Sequence, residues 1–486
     1  MGVFKRFTAV ALLICILFSV CSCGINSGDA LIYFSLSDMP DTLDAQTAQS
    51  DSELMLVRNI YEGLMRENEK GEIVKGVCED YEFSNLTYTF TLRQGLKWSN
   101  GEPLTASDFA FGIKRALLPE TKSHFARLLY SIKGARGVHA GSLSADSLGI
   151  SAKDDKTLII KLEYDDPYFL STLSRSVSMP CNEKFFYESL GKYGLEKEYV
   201  ISCGSYRLSR WNKVDNGIRL YKNDNYNGNF KAKNGGVFIG KDKEKSVDEK
   251  LKSGESDMAF LSSDLLDKTV QENIKTVSVG NILWVLSLGG ELNENIRRAL
   301  CLCYKGAENL PSGFSYADCF YPAVLGSPYT EAKTHSDYSP DTARQIISEE
   351  IKQFKNKKFP QTTLTYSDND SIRPVITEIV GEWQKNLSTF INIKATDKPL
   401  QSELVSHSLS LCAFPVKADS TAGEYIRNFL PDGDYVMPAT LNTLSGSNSL
   451  LPIAFENTNI GYLDNLSGVY MSKNNGYIDF SYIVKE

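Results

Sequence analysis

Tyr88 to Phe109 spell YTFTLRQGLKWSNGEPLTASDF, and three local structures follow one another within that stretch. From Thr87 to Leu92 polar and apolar side chains alternate, which places Tyr88, Phe90 and Leu92 on one face of a half-buried strand. Arg93, Gln94 and Gly95 interrupt the alternation, Leu96 and Trp98 resume it, and Ser99-Asn100-Gly101 supplies residues suited to a tight turn. A hairpin is expected there. Thr105 then stands as a helix N-cap with Asp108 at the third helical position, and Phe109, Ile113 and Leu117 recur at helical spacing.

Working outward, 486 residues are too many for one core and imply two or three domains. The formal charge of −8 offers no basic face for phosphates, which argues against a nucleic-acid partner. At the start, Lys5 and Arg6 precede an apolar run from Ala9 to Val20, too short to anchor stably across a bilayer but suited to the core of a signal peptide. It ends in Val20-Cys21-Ser22-Cys23-Gly24, which resembles a bacterial lipobox with Cys23 as the lipidated residue. A secretory leader cleaved nearby, or an uncleaved anchor, is the alternative. With Cys23 acylated, residues 1–22 would be lost and the protein held at the outer face of the cell membrane.

Beyond the leader and Cys23, the cysteines are Cys78, Cys181, Cys203, Cys301, Cys303, Cys319 and Cys412, an odd set without CxxC spacing. Most are expected to be buried thiols, with a Cys181–Cys203 bridge left open. His124, His139, His335 and His407 are scattered and form no HExxH pair, so no metal and no cofactor is expected. There is no complete G-x-S-x-G either; Gly313-Phe314-Ser315-Tyr316-Ala317 lacks the last glycine and reads as a loop. An enzyme is not expected.

Order and identity within the opening stretch carry more than its periodicity. Tyr-x-Phe-x-Leu-Arg-x-Gly-x-x-Trp-x-x-Gly-x-x-x-Thr-Ala-x-Asp, here Tyr88 to Asp108, resembles the signature of bacterial extracellular solute-binding proteins of family 5, the dipeptide and oligopeptide receptors of ABC importers. Further matches lie along the chain: Tyr61-Glu62-Gly63-Leu64 at the end of a helix expected from about Ser52; Cys203-Gly204-Ser205-Tyr206 with Trp211; Asn223 to Tyr226; Ile296 to Leu300; Tyr338-Ser339-Pro340-Asp341; and Gly476 to Phe480, read as a terminal strand. Departures are Ala45 after Leu43-Asp44, Ser205 and Asn227, where the family has proline, proline and an aromatic residue.

The resemblance implies an α/β, two-lobed, periplasmic-binding-protein-like fold (type II, the venus flytrap) with an extra subdomain in lobe 1. Lobe 1 is expected over residues 23–280, with the inserted subdomain at about 60–165, lobe 2 over 281–443, and a return to lobe 1 over 444–486. It further implies a monomer that closes on a peptide or small polar solute and delivers it to an ABC permease and its ATPase. In peptide-binding members an aspartate meets the ligand's amino terminus. That position falls in Phe414-Pro415-Val416-Lys417-Ala418-Asp419-Ser420, making Asp419 the candidate for the amine and Phe414 a candidate wall. Lys417 equally fits a changed ligand bearing a carboxylate, and His407 keeps a nickel-chelate receptor of the same family in view. A surface sensor that keeps the fold without feeding a transporter is the remaining alternative.

Overall fold

In the strand Thr87–Leu92 the inward face is the one expected: Tyr88, Phe90 and Leu92 are buried between more open threonines. In the computed structural model, which describes residues 30–36, 39–212, 217–241, 247–261, 265–266, 274–289, 292–306, 309–317, 319–320, 337–367, 372–396, 409–415, 450–472 and 477–486, this strand is central to a four-stranded antiparallel sheet. Its partners are Cys78–Ser84 and Thr157–Lys161, with Ile150–Ala152 beyond the latter. The turn from Cys78–Ser84 is Asn85-Leu86, both at positive φ (50° and 58°), the backbone that matches the twist of a two-residue hairpin.

After Leu92 the expected turn forms in miniature. Trp98 N donates to Glu102 O at 2.8 Å, Leu104 N donates to Leu96 O at 3.0 Å, and Gly101 takes φ 91°. The helix Ala106–Leu117 follows, and the carboxylate of Asp108 accepts from Thr105 N at 2.8 Å and Thr105 Oγ1 at 3.2 Å. Phe109, Ile113 and Leu117 are fully buried against the sheet and its loops.

The main sheet is eleven-stranded and continuous. Along its path lie Ile391–Thr396, Thr362–Ser367, Leu409–Pro415, Lys275–Leu288, Leu450–Tyr462, Met258–Leu261, Leu31–Leu36, Gly236–Lys241, Gly217–Lys222 and Tyr206–Asn212, with Phe314–Tyr316 attached to Leu450–Tyr462. Besides a small cluster of Leu251, Ala259, Leu261 and Ile274, it serves two large apolar cores. One holds Phe34, Trp98, Phe109, Tyr206, Ile239, Ile460 and Phe480; the other holds Trp284, Leu300, Ile347, Ile376, Trp383 and Leu411. Each therefore belongs to its own lobe.

Among the described residues, the strands Lys275–Leu288 and Leu450–Tyr462 are the two that run through both. Ile460 packs in the first core and Leu451, Ile453 and Ala454 in the second, while Val279 and Leu283 face the first and Trp284, Leu286 and Leu288 the second. A strand's two faces point oppositely, so alternate residues of one strand feed opposite lobes where the cores meet.

In the second lobe, helices Glu294–Leu302, Pro340–Gln353 and Arg373–Leu387 cover the sheet. Asn293 caps the first through its side chain, which accepts from Ile296 N at 2.9 Å. Pro340 opens the second as its sequence requires, although the Ser339 hydroxyl bonds Thr342 Oγ1 rather than a backbone N–H.

Several expectations are corrected. The helix Asp51–Ile60 stops before the Tyr61-Glu62-Gly63-Leu64 motif: Tyr61 is extended, and the Ile60 carbonyl accepts instead from Cys203 and Gly204 N–H at 3.0 and 2.8 Å. The terminal segment is no continuous strand. Ile478 makes a single bridge to Met471, and Asp479 then caps a 3₁₀ turn at Phe480–Tyr482. Phe314–Tyr316, read as a loop, is a short strand on Leu450–Tyr462. The cysteines, by contrast, are as expected: Cys78, Cys181, Cys203, Cys301, Cys303 and Cys319 are buried free thiols, and the Cys181–Cys203 bridge that the sequence left open is not formed.

Candidate functional site

The seam between the lobes is where the two shared strands change allegiance. Leu451 to Ala454 are buried in lobe 2 and Asn459 to Gly461 in lobe 1, whereas Phe455, Glu456, Asn457 and Thr458 between them are only half-buried. On one edge of this strand the neighbour is Lys275–Leu288 throughout; on the other it changes from Met258–Leu261 of lobe 1 to Phe314–Tyr316 of lobe 2. The register slips between Gly280 and Ile282, a bulge that adds local twist and breaks the ladder at this level.

Glu456 stands directly opposite Ile282 on one side and Phe314 on the other. The indole N–H of Trp284 donates to Glu456 Oε2 at 2.8 Å. Trp284 itself is 2% exposed and anchored in the lobe 2 core, so the carboxylate is held by a rigid donor. Nearby, Ser278 Oγ bonds Asn459 Oδ1 at 2.6 Å, and a Cβ on Gly280 would lie 3.1 Å from Asn457 Oδ1. The seam is therefore polar and half-open between two dry cores, a setting in which hydrogen bonds to a solute gain strength over those in bulk water.

Of the residues singled out by sequence, Cys23, Lys417, Asp419 and His407 lie outside the described residues. Phe414 belongs to the strand Leu409–Pro415, where its backbone pairs with Leu283. That strand ends at Pro415, opposite Ile282, which is itself opposite Glu456. The described strand thus ends at the level of the seam. Sequence reasoning missed Glu456 and Trp284: each lies in an apolar strand, and only the pairing register brings them together.

Lobe 1 builds its own polar interior away from the seam. Arg115 Nη1 donates to Asp44 Oδ1 at 2.8 Å and Gln46 Oε1 at 2.7 Å, while Gln46 Nε2 donates to Met179 O at 2.9 Å, which fixes the loop after the first strand against helix Ala106–Leu117. A small recess, with room for little more than a water molecule, is lined by Arg58, Tyr61, Glu62, Arg66, Tyr477 and Asp479 among others. Burial raises the proton affinity of Glu62, which Arg66, Tyr226 and Arg93 partly offset. Of the charges lining the recess, Arg66 pairs with Asp479, which ties the last residues of the chain to the segment after helix Asp51–Ile60.

Among the described residues no group of histidine, cysteine, aspartate and glutamate could hold a metal ion, and no helix is long and apolar enough to cross a membrane. His139 is engaged with the Tyr130 hydroxyl at 2.7 Å.

Two α/β lobes threaded by a pair of shared strands, with a polar seam between them and an inserted sheet in the first lobe, define the periplasmic-binding-protein-like class. Solved structures agree on the fold: OppA of Listeria monocytogenes bound to peptide superimposes with a TM-score of 0.73 at 20% identity, covering 94% of this chain and 99% of that one. The pheromone receptor PrgZ gives the same score and identity, over 94% and 100%.

Residues 72–420 match the model of bacterial extracellular solute-binding proteins, family 5 Middle, and the chain belongs to that family. Its relatives include the dipeptide-binding protein DppE of Bacillus subtilis, 27% identical over 76% of this chain and 70% of the relative. The oligopeptide-binding protein OppA of the same organism is 27% identical over 80% and 77%.

Proposed function

We propose that this protein is the substrate-binding lipoprotein of an ABC importer: it captures peptides outside the cell and delivers them to a permease, performing no chemistry on them. The observation that carries the reading is the seam. Two lobes joined there by a pair of strands can rotate about it and enclose an extended ligand, with contacts from both sides. Relatives named for dipeptide and oligopeptide binding, aligned over most of the chain, support peptides as the solute.

In this reading lobe 1 spans residues 23–280 with its insert at about 60–165, lobe 2 spans 281–443, and 444–486 return to lobe 1. Cys23 carries the lipid, the membrane contact is that anchor alone, and the protein works as a monomer. Asp419 takes the peptide amine and Phe414 lines the site. A ligand shifts the lobes toward closure only by its differential affinity for the closed form, so closure reports occupancy to the permease. Transport energy comes from the partner ATPase, since the chain has no GxxxxGK[ST] loop.

The test is calorimetric titration of ligand-stripped protein with defined pools of di- to pentapeptides. Saturable binding is expected; a folded protein that binds none of them would overturn the peptide assignment. Reconstitution with the permease separates importer from sensor, because only the importer stimulates ATPase activity when peptide is added.

A further inference from the structure

We infer that Glu62 and Arg66 hold a single buried water molecule in the small recess of lobe 1, a water that donates to the Glu62 carboxylate and accepts from Arg66 Nε. The site belongs to the interior of that lobe and is independent of the peptide reading.

Glu62 comes from the Tyr61-Glu62-Gly63-Leu64 motif, a stretch that peptide capture at the seam leaves without a role. It is 1% exposed, and its backbone N–H donates to Cys203 Sγ at 3.4 Å. Neither of its carboxylate oxygens has a hydrogen-bond partner among the described residues. Arg93 Nη2 stands 3.9 Å from Oε1, too far for a hydrogen bond, and donates to Gly76 O instead. A carboxylate buried without donors is costly, and folded proteins leave few such groups unmet.

Arg66 presents the complementary need. Its Nη2 donates to Asp479 Oδ2 and, at 3.3 Å, to Ser481 Oγ, whereas the buried Nε–H has no acceptor among the described residues. Glu62 and Arg66 line one recess, yet the ion pair that Arg66 makes is with Asp479. The recess has room for little more than a water molecule, and a water both donates and accepts, so one molecule answers both groups.

Ser174 lines the same recess, and its hydroxyl donates to Ser171 O at 2.7 Å, which keeps its lone pairs for the water's second hydrogen. That gives the water about three partners, the usual complement of a buried solvent molecule. A cation suits the place less well, because the guanidiniums of Arg58 and Arg66 share its wall; an anion is opposed by Glu62 and Asp479. The water joins the motif after helix Asp51–Ile60 to the Arg66–Asp479 pair, and so to the last residues of the chain.

A high-resolution crystal structure of the protein tests this. A well-occupied solvent peak is expected in the recess, within hydrogen-bonding distance of a Glu62 oxygen and of Arg66 Nε. No peak there, or one that reaches only one of the two groups, would overturn the site. Crystals soaked in a rubidium salt separate water from a monovalent cation: an anomalous peak in the recess would overturn the assignment to water. Glu62→Met removes both acceptors at nearly the same side-chain length, so the peak should be lost while Arg66 stays on Asp479. A peak unchanged in Glu62→Met would show that Glu62 does not hold it. Should that variant fail to fold, the wild-type density and the rubidium soak still decide.

Discussion

Arg66 and Asp479, far apart in sequence, form an ion pair buried inside lobe 1, with side chains 9% and 4% exposed. The guanidinium also lies over the ring of Phe230 at 4.4 Å, and the second carboxylate oxygen of Asp479 accepts from Ser481 N at 3.0 Å and Ser481 Oγ at 2.6 Å. The pair binds the last residues of the chain to the segment after helix Asp51–Ile60. A charge left alone at this depth is costly, so Asp479→Ala should destabilise lobe 1 by about 3 to 5 kcal/mol. Urea denaturation read out by circular dichroism checks this; a loss under about 1 kcal/mol would show that the pair is solvated.

Gly204 makes a second such test, this time of close backbone approach. Its N–H donates to Ile60 O, and a Cβ built on it would lie 2.8 Å from Tyr61 O and 2.9 Å from Tyr61 C. Gly204→Ala must push the end of helix Asp51–Ile60 away, and is expected to cost about 1 to 3 kcal/mol. A thermal melt unchanged from wild type would contradict the packing described.

Asp108 gives the fold a pH dependence of definite sign. Burial pushes its carboxyl up to about 6, against the hydrogen bonds from Thr105 that favour the charged form. Because the folded-state value lies above the unfolded one, its stabilising contribution is complete below about pH 4 and is lost as pH rises through about 6. Relative to Asp108→Asn, the wild type should therefore be less stable at pH 7 than at pH 4 by roughly 2 to 3 kcal/mol. Unfolding free energies of both proteins across that range would show it, and a constant difference would count against it.

Much of lobe 1 was legible before any coordinates because its signals are local. Thr105 and Asp108 declare a capped helix, and Tyr88, Phe90 and Leu92 declare a buried face, without reference to anything distant. What was illegible depends on register between remote strands. Nothing in the run Ile282 to Leu288 announces that Trp284 will reach Glu456, and Asp479, read as part of a strand, instead caps a turn because Arg66 fixes its carboxylate. Tyr61 misled for a related reason: apolar spacing carried the helix onward, but Cys203 and Gly204 compete for the Ile60 carbonyl and end it.

Asp419 is open to a direct check of the role given to it. Asp419→Ala should weaken free-amine peptides about ten- to a hundredfold and N-acetylated ones much less. Calorimetry with matched peptide pairs makes the comparison, and equal losses would remove Asp419 from the site.

Small-angle X-ray scattering of the ligand-stripped protein, with and without a saturating peptide pool, tests most directly whether the two lobes close on a peptide about their shared strands. A smaller radius of gyration with peptide, reverting when the peptide is dialysed away, is the predicted result. Identical scattering curves from protein that calorimetry shows to be peptide-loaded would contradict closure about the seam.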